Sequence, residues 1–179
     1  MEQFGFRMEH KMIDIFSKDL GLKALSLESK AITAALRSSD SGRRRLEDVG
    51  AGFLKSTGRP VNWKQAGRNA KFLTDKVLGL DFLFAPMPGA EKVGIDLTLN
   101  PASVQGKVNL QGRLAGIYTS LGIGRSAVLV VSPPEEGYAL LSEERWTQII
   151  DDLWAVVFDI SERDRYGSVH FVDCREVKG

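Results

Sequence analysis

The sequence predicts an α/β protein: a mixed central sheet flanked by helices, with a helical region at the N-terminus. Three observations predict it. Through the first half of the chain apolar residues recur at helical spacing, as in Met8, Met12, Ile15 and Phe16. From Leu80 the pattern changes to short β-branched and aromatic runs, LDFLFAP, KVGIDLTL and SAVLVVS. Between the last two runs lies Pro101–Leu121, long enough to be a crossover helix, and such a crossover joins parallel strands.

The elements follow in order. Residues 8–19 form a first helix that Gly21 ends, and Leu27–Leu36 form a second, started by Ser26. SSDSGRRR, polar and rich in serine, reads as an exposed loop or mobile arm, with a short helix over Arg43–Leu54 that Gly58-Arg59-Pro60 breaks. Trp63–Leu78 is predicted as one helix with Ala66, Ala70, Leu73 and Val77 on its apolar side, closed by Gly79. Leu80–Pro86 and Lys92–Leu99 are strands around the turn Met87–Glu91, so they form a hairpin. Asn100 is a good N-cap and Pro101 a good first helical residue, and the helix they open carries Val104, Val108, Leu114, Ile117, Tyr118 and Leu121 on one stripe. Gly122 and Gly124 end it. Ser126–Ser132 is a continuous apolar run, the signature of a central strand covered on both faces, stopped by Pro133-Pro134. A helix from Ser142 to Ile160 and a strand Ser168–Val172 complete the chain. We divide it into an N-terminal helical region, residues 1–62, and an α/β core, residues 63–179, packed as one unit.

With 179 residues, 43% hydrophobic and 26% charged, the chain can bury a sizeable core. No apolar run is long enough to span a membrane, and MEQFGFRMEHKMIDIF lacks the pattern of a secretory signal, so a cytoplasmic location and no membrane partner are expected. A single cysteine, Cys174, excludes an intrachain disulfide and a cysteine-rich zinc site. The net charge of +1 hides an asymmetry: residues 1–80 hold 15 Lys/Arg against 9 Asp/Glu, and the rest hold 9 against 14. The basic half includes Arg43, Arg44 and Arg45 in a row and the cluster Lys64, Arg68 and Lys71. Such a half can track the phosphates of DNA, or it can be a solvated surface that balances the acidic half.

Chemistry concentrates in GIDLTLNPASVQGK, residues 94–107. Strand alternation puts Val93, Ile95, Leu97 and Leu99 on one face and Gly94, Asp96, Thr98 and Asn100 on the other. A carboxylate in that row serves as a hard-cation ligand or bonds a helix N-terminus or an arginine. Lys107 follows closely and can stabilise charge in phosphodiester hydrolysis, and Gln105 can offer a neutral oxygen to a metal or its water. Asp81, at the start of the first strand, is the leading choice for a second metal ligand, ahead of Glu91 and Asp75.

An Asp on the second strand followed by Gln-x-Lys, in the order helix, hairpin, helix, strand, resembles the PD-(D/E)xK, or restriction-endonuclease-like, nuclease superfamily over about residues 63–132. The resemblance implies a Mg²⁺-dependent endonuclease that hydrolyses DNA phosphodiester bonds. By position Asp96 matches the motif's metal-binding Asp, Gln105 stands where its Glu would, and Lys107 matches its Lys. A homodimer suits duplex cleavage. Two alternatives stand beside this reading: a non-catalytic nucleic-acid-binding or assembly subunit on the same fold, and a protein-interaction domain.

Overall fold

The computed structural model describes residues 9–135, 141–162 and 165–176, so Met8 lies outside the described residues. Helix α1 covers residues 9–14 and continues into a π turn, Ile15–Asp19. Helix α2 is Ser29–Arg37, which starts beyond the expected Ser26 and has no side-chain cap.

The stretch read as a loop is a helix start. Helix α3 spans Asp40–Thr57, and the Ser39 hydroxyl accepts a hydrogen bond from the Gly42 N–H at 3.1 Å. Serine and aspartate are common in loops and at N-caps for the same reason: their side chains bond nearby backbone N–H groups. Here the cap wins, and α2 and α3 form a tight pair. Gly42 is where they touch, because a Cβ there would lie 2.0 Å from the Leu36 carbonyl oxygen. Gly42→Ala is therefore expected to force the helices apart and to cost about 1–3 kcal/mol or more in urea unfolding. An unchanged midpoint would show that the contact is softer than its geometry.

The helix expected over Trp63–Leu78 is broken. Helix α4 is Trp63–Ala66, and α5 is Ala70–Phe72, running into a second π turn, Leu73–Val77. The cause is two competing caps, Asn62 accepting from Gln65 N–H at 3.2 Å and Asn69 from Phe72 N–H at 3.0 Å. Each asparagine starts its own helix.

The strands are β1 (Phe82–Phe84), β2 (Lys92–Thr98), β3 (Ile123–Ser132) and β4 (Ser168–Asp173), in that order across one sheet. β1 and β2 pair antiparallel, while β2–β3 and β3–β4 pair parallel. The sheet is thus mixed and flanked by helices, as the sequence predicted. The crossover from β2 to β3 begins as a 3₁₀ turn, Pro101–Ser103, under the Asn100 cap, and divides at Leu114 into α6 (Val104–Arg113) and α7 (Ala115–Ser120). Gly122, at φ 74°, ends it, whereas Gly124 belongs to β3. Helix α8, Glu143–Glu162, makes the second crossover. Its Leu153 is buried, but Trp154 lies on the exposed side.

The sheet buries both faces. On one, Phe84, Ile95, Leu97, Leu129 and Val131 pack with Met12 of α1, Phe16 of the first π turn, and Ile149 and Leu153 of α8. On the other, Leu80, Leu83 and Ile123 pack with Ile32 and Leu36 of α2, Leu73 and Val77 of the second π turn, and Ile117 and Tyr118 of α7. Fully burying each such side chain contributes about 1.5–3 kcal/mol. Alternation along β2 sends Asp96 to the second face. There Gln111, wholly buried, fixes α6 to the sheet: its amide donates to the Ala127 carbonyl at 3.1 Å and its Oε1 accepts from Ser126 Oγ at 2.7 Å.

Candidate active site

The hairpin places two carboxyl groups face to face. Phe82 pairs with Ile95, so Asp81 lies opposite Asp96, and the Asp81 N–H donates to the Ile95 carbonyl at 2.8 Å. Residues directly opposite in an antiparallel pair point to one face. Asp81 Oδ2 accepts from the Leu97 N–H at 2.7 Å, and both carboxyls line the same cleft. Asp96 is only 3% exposed, held between β1 and β3. A carboxylate so placed needs a partner. Lys107 supplies it, with Nζ 2.5 Å from Asp96 Oδ1. Lys107 and Gln111 are a helical i,i+4 pair, so the buried glutamine anchors the face of α6 that carries the lysine.

Burial pushes both aspartates up, and the Asp96 charge raises Asp81 further. Asp81 is pushed up to about 8, by burial first and the neighbouring Asp96 charge second. On Asp96 burial is opposed by the Lys107 ammonium. The proton therefore rests on Asp81, and Asp96 is the ionised member. Glu9, on α1, is also pushed up by burial, against the pull of Lys107.

These groups open into a cleft of about 560 Å³, walled by Glu9, Arg45, Asp75, Lys76, Ser103 and Lys107. Asp75 and Lys76 form an ion pair at 3.5 Å. One wall is held with care. Arg45 Nε donates to the Val77 carbonyl at 2.7 Å and Nη2 to the Lys76 carbonyl at 2.9 Å, while Tyr118 Oη donates to the Leu78 carbonyl at 2.6 Å. These carbonyls end the second π turn and would otherwise lack partners. Gly79, at φ 70°, then turns the chain towards Asp81. Helices α3 and α7 thus fix the approach to the acid that the sheet presents.

Of the residues expected to share a site, Asp81, Asp96 and Lys107 meet. Gln105 does not: it is exposed and its amide donates to Asn109 Oδ1 at 2.9 Å. Residues two apart share a face on a strand, but on a helix they diverge, so 105 and 107 cannot both face the sheet from α6. The basic residues are placed differently from one another. Arg43 pairs with Asp40 and bonds the Arg37 carbonyl, Arg45 caps the π turn, and Arg44, Lys64, Arg68 and Lys71 are exposed. Sequence reasoning missed Glu9, Gln111 and Tyr118 as parts of this assembly. Glu9 left one signal: it falls on the same helical stripe as Met12 and Phe16, which face the core.

Comparison with protein-family models, curated proteins and solved structures finds no match. What the cleft can do follows from its own residues. Among the described residues, no group of three or more His, Cys, Asp and Glu is placed to hold a metal ion. Asp81 and Asp96 are the carboxyls of the cleft that could hold a Mg²⁺ ion, which binds through one or two carboxylates and completes its shell with water and phosphate. Two opposed carboxyls that retain a proton near neutrality are a place where a divalent cation relieves repulsion. None of the described helices is long and apolar enough to cross a membrane.

Proposed function

We propose that the cleft is a metal-dependent phosphodiesterase site of the PD-(D/E)xK type, and that the protein is a DNA endonuclease. The observation that supports this reading is the meeting of Asp81, Asp96 and Lys107 in one cleft, from a strand start, a strand interior and the following helix. Mg²⁺, when bound, supplies Lewis-acid stabilisation and a more acidic water. Asp81 and Asp96 would hold it, Asp81 as the ionised carboxylate, and Lys107, beside Asp96, would stabilise negative charge at the water or phosphate. The second carboxylate is Asp81; Gln105 is not part of the machinery. Glu9 and Asp75 add negative charge at the rim, and exposed Arg44, Lys64, Arg68 and Lys71 offer the phosphate backbone its counter-charges.

One observation favours the second reading, a nucleic-acid-binding subunit without catalysis. Lys107 already neutralises Asp96 at 2.5 Å, which is how a cleft without metal would settle its buried charge. The two separate on a panel of supercoiled, linear and branched DNA with Mg²⁺, Mn²⁺ or EDTA. The endonuclease cuts with metal and not in EDTA. The binding subunit cuts nothing but retards DNA in EDTA, less so as salt rises. Neither cutting nor retardation would end both readings.

A further inference from the structure

A second cavity, of about 200 Å³, lies within the helical layer and shares no lining residue with the cleft around Asp96. Its walls are Thr33, Leu36 and Arg37 of α2, Leu46 of α3, Trp63 of α4, Gly67 and Leu73. The break between α4 and α5 creates it. Gly67 faces Thr33 across the gap, where a Cβ would stand 3.9 Å from Thr33 Oγ1 and 2.8 Å from the Trp63 carbonyl oxygen. The Trp63 indole lies against α3 at Gly50.

The Thr33 hydroxyl is the informative group. It is buried and has no hydrogen-bond partner among the described residues. A helical threonine normally returns its hydroxyl to the carbonyl one turn back. Thr57, Thr74, Thr119 and Thr147 do so, bonding the carbonyls of Phe53, Ala70, Ala115 and Glu143 at 2.8–3.0 Å. Thr33 alone of these forgoes that bond while lining a cavity. An unpaired buried hydroxyl is costly, and the cost is removed by a ligand atom that bonds it. The remaining wall is leucine and indole, which suits a flat apolar face. One cation, Arg37, lines the cavity, and Lys64 and Arg68 follow the lining residues Trp63 and Gly67 in the chain; all three are exposed, and none forms an ion pair with a described residue.

We propose that this cavity holds a nucleobase, with its face against Trp63 and the leucines, one edge atom bonded to Thr33, and its phosphate at Arg37, Lys64 and Arg68. The proposal rests on the reading that the partner is a nucleic acid. It adds a second site, which takes a base turned out of its strand rather than the scissile phosphate. Stacking on an aromatic side chain is tolerant of base identity, so more than one base is expected to bind.

The test uses the full chain, with Thr33→Val and Leu46→Trp beside it. Calorimetry measures binding of the four deoxynucleoside 5′-monophosphates, of deoxyribose 5-phosphate, and of a short single-stranded oligonucleotide. Wild type is expected to bind at least one nucleotide and the oligonucleotide, and to bind the baseless sugar phosphate at least tenfold more weakly. Thr33→Val, which replaces the orphan hydroxyl with a methyl group of similar size, is expected to raise Tm by about 2–4 °C and to lose binding at least tenfold. Leu46→Trp, which fills the cavity, loses binding as well. Binding confined to free nucleotides would make the ligand a nucleotide rather than a strand. Equal binding with and without a base, unchanged binding in both variants, or no binding by wild type overturns the proposal. DNA cutting by wild type that survives unchanged in both variants would leave the nuclease reading intact without this site, and nucleotide binding without any cutting would do the reverse.

Discussion

Asp96→Asn is expected to lower metal-dependent DNA cleavage by about a hundred- to a thousandfold, the scale on which losing one positioned transition-state contact operates. The substitution keeps the shape of the side chain and removes its charge, so the cation loses its central ligand while β2 keeps its register. The Lys107 ammonium then stays half-buried without its paired carboxylate, and part of the fold's stability goes with it. Breaking a buried pair costs about 3–5 kcal/mol, and partial exposure of Lys107 brings this site below that range. The variant should therefore remain folded with a lower Tm. Lys107→Met belongs in the same experiment: it leaves Asp96 free to bind metal but removes the cation that holds charge at the water. Metal binding kept and cleavage lost in Lys107→Met, with both lost in Asp96→Asn, would separate ligand from catalytic lysine. Full cleavage in either variant would move the chemistry elsewhere.

The second large effect is pH dependence centred on Asp81. Its ordinary value as a free aspartate is near 3.8, and in the fold it is pushed up to about 8 by burial and by Asp96. A raised acid keeps its proton in the folded state while the unfolded chain has lost it, so the folded state binds more protons. Stability from this group is fully present below about pH 4 and is lost as pH rises through about 8. In metal-free protein Asp81→Asn removes that loss, and at pH 8 the variant should exceed wild type by at least the ~1.4 kcal/mol that one pKa unit represents. With Mg²⁺ the sign turns: the cation needs the ionised pair, so wild type binds it more tightly at pH 8 than at pH 6, with proton release. Urea unfolding at the two pH values, with and without Mg²⁺, reads all of this. A wild-type stability indifferent to pH between 4 and 8, and unaffected by the substitution, would mean that Asp81 is an ordinary ionised carboxylate.

The sheet was legible because its signals are local. LDFLFAP, KVGIDLTL and SAVLVVS are strand-like over their own few residues, and the length of Pro101–Leu121 forces a crossover. The helical breaks were not legible from periodicity, which continues across Asn69 although the asparagine side chain restarts the helix there. SSDSGRRR misled for a related reason, since serine and aspartate favour loops and N-caps through one and the same hydrogen bond. In the site, Asp81 and Asp96 could be found because one precedes a strand, the other interrupts one, and both sit among apolar residues. Gln105 was grouped with Lys107 by strand logic, and the chain is helical there. Glu9, Arg45, Gln111 and Tyr118 reach the site or its supports from four different elements. Only the tertiary fold brings them together, and an isolated polar residue on a helix has no sequence pattern that marks it.

The claim that carries the rest is that Asp81 and Asp96 form a divalent-cation site. It can be tested without any nucleic acid, by titrating Mn²⁺ into the metal-free protein at pH 8 and following free Mn²⁺ by electron paramagnetic resonance, with Mg²⁺ as competitor. The expected result is saturable binding to the wild-type chain that Mg²⁺ displaces, that weakens towards pH 6, and that Asp81→Asn and Asp96→Asn each abolish while remaining folded. Binding that both substitutions leave intact, or no binding at any pH, would contradict it.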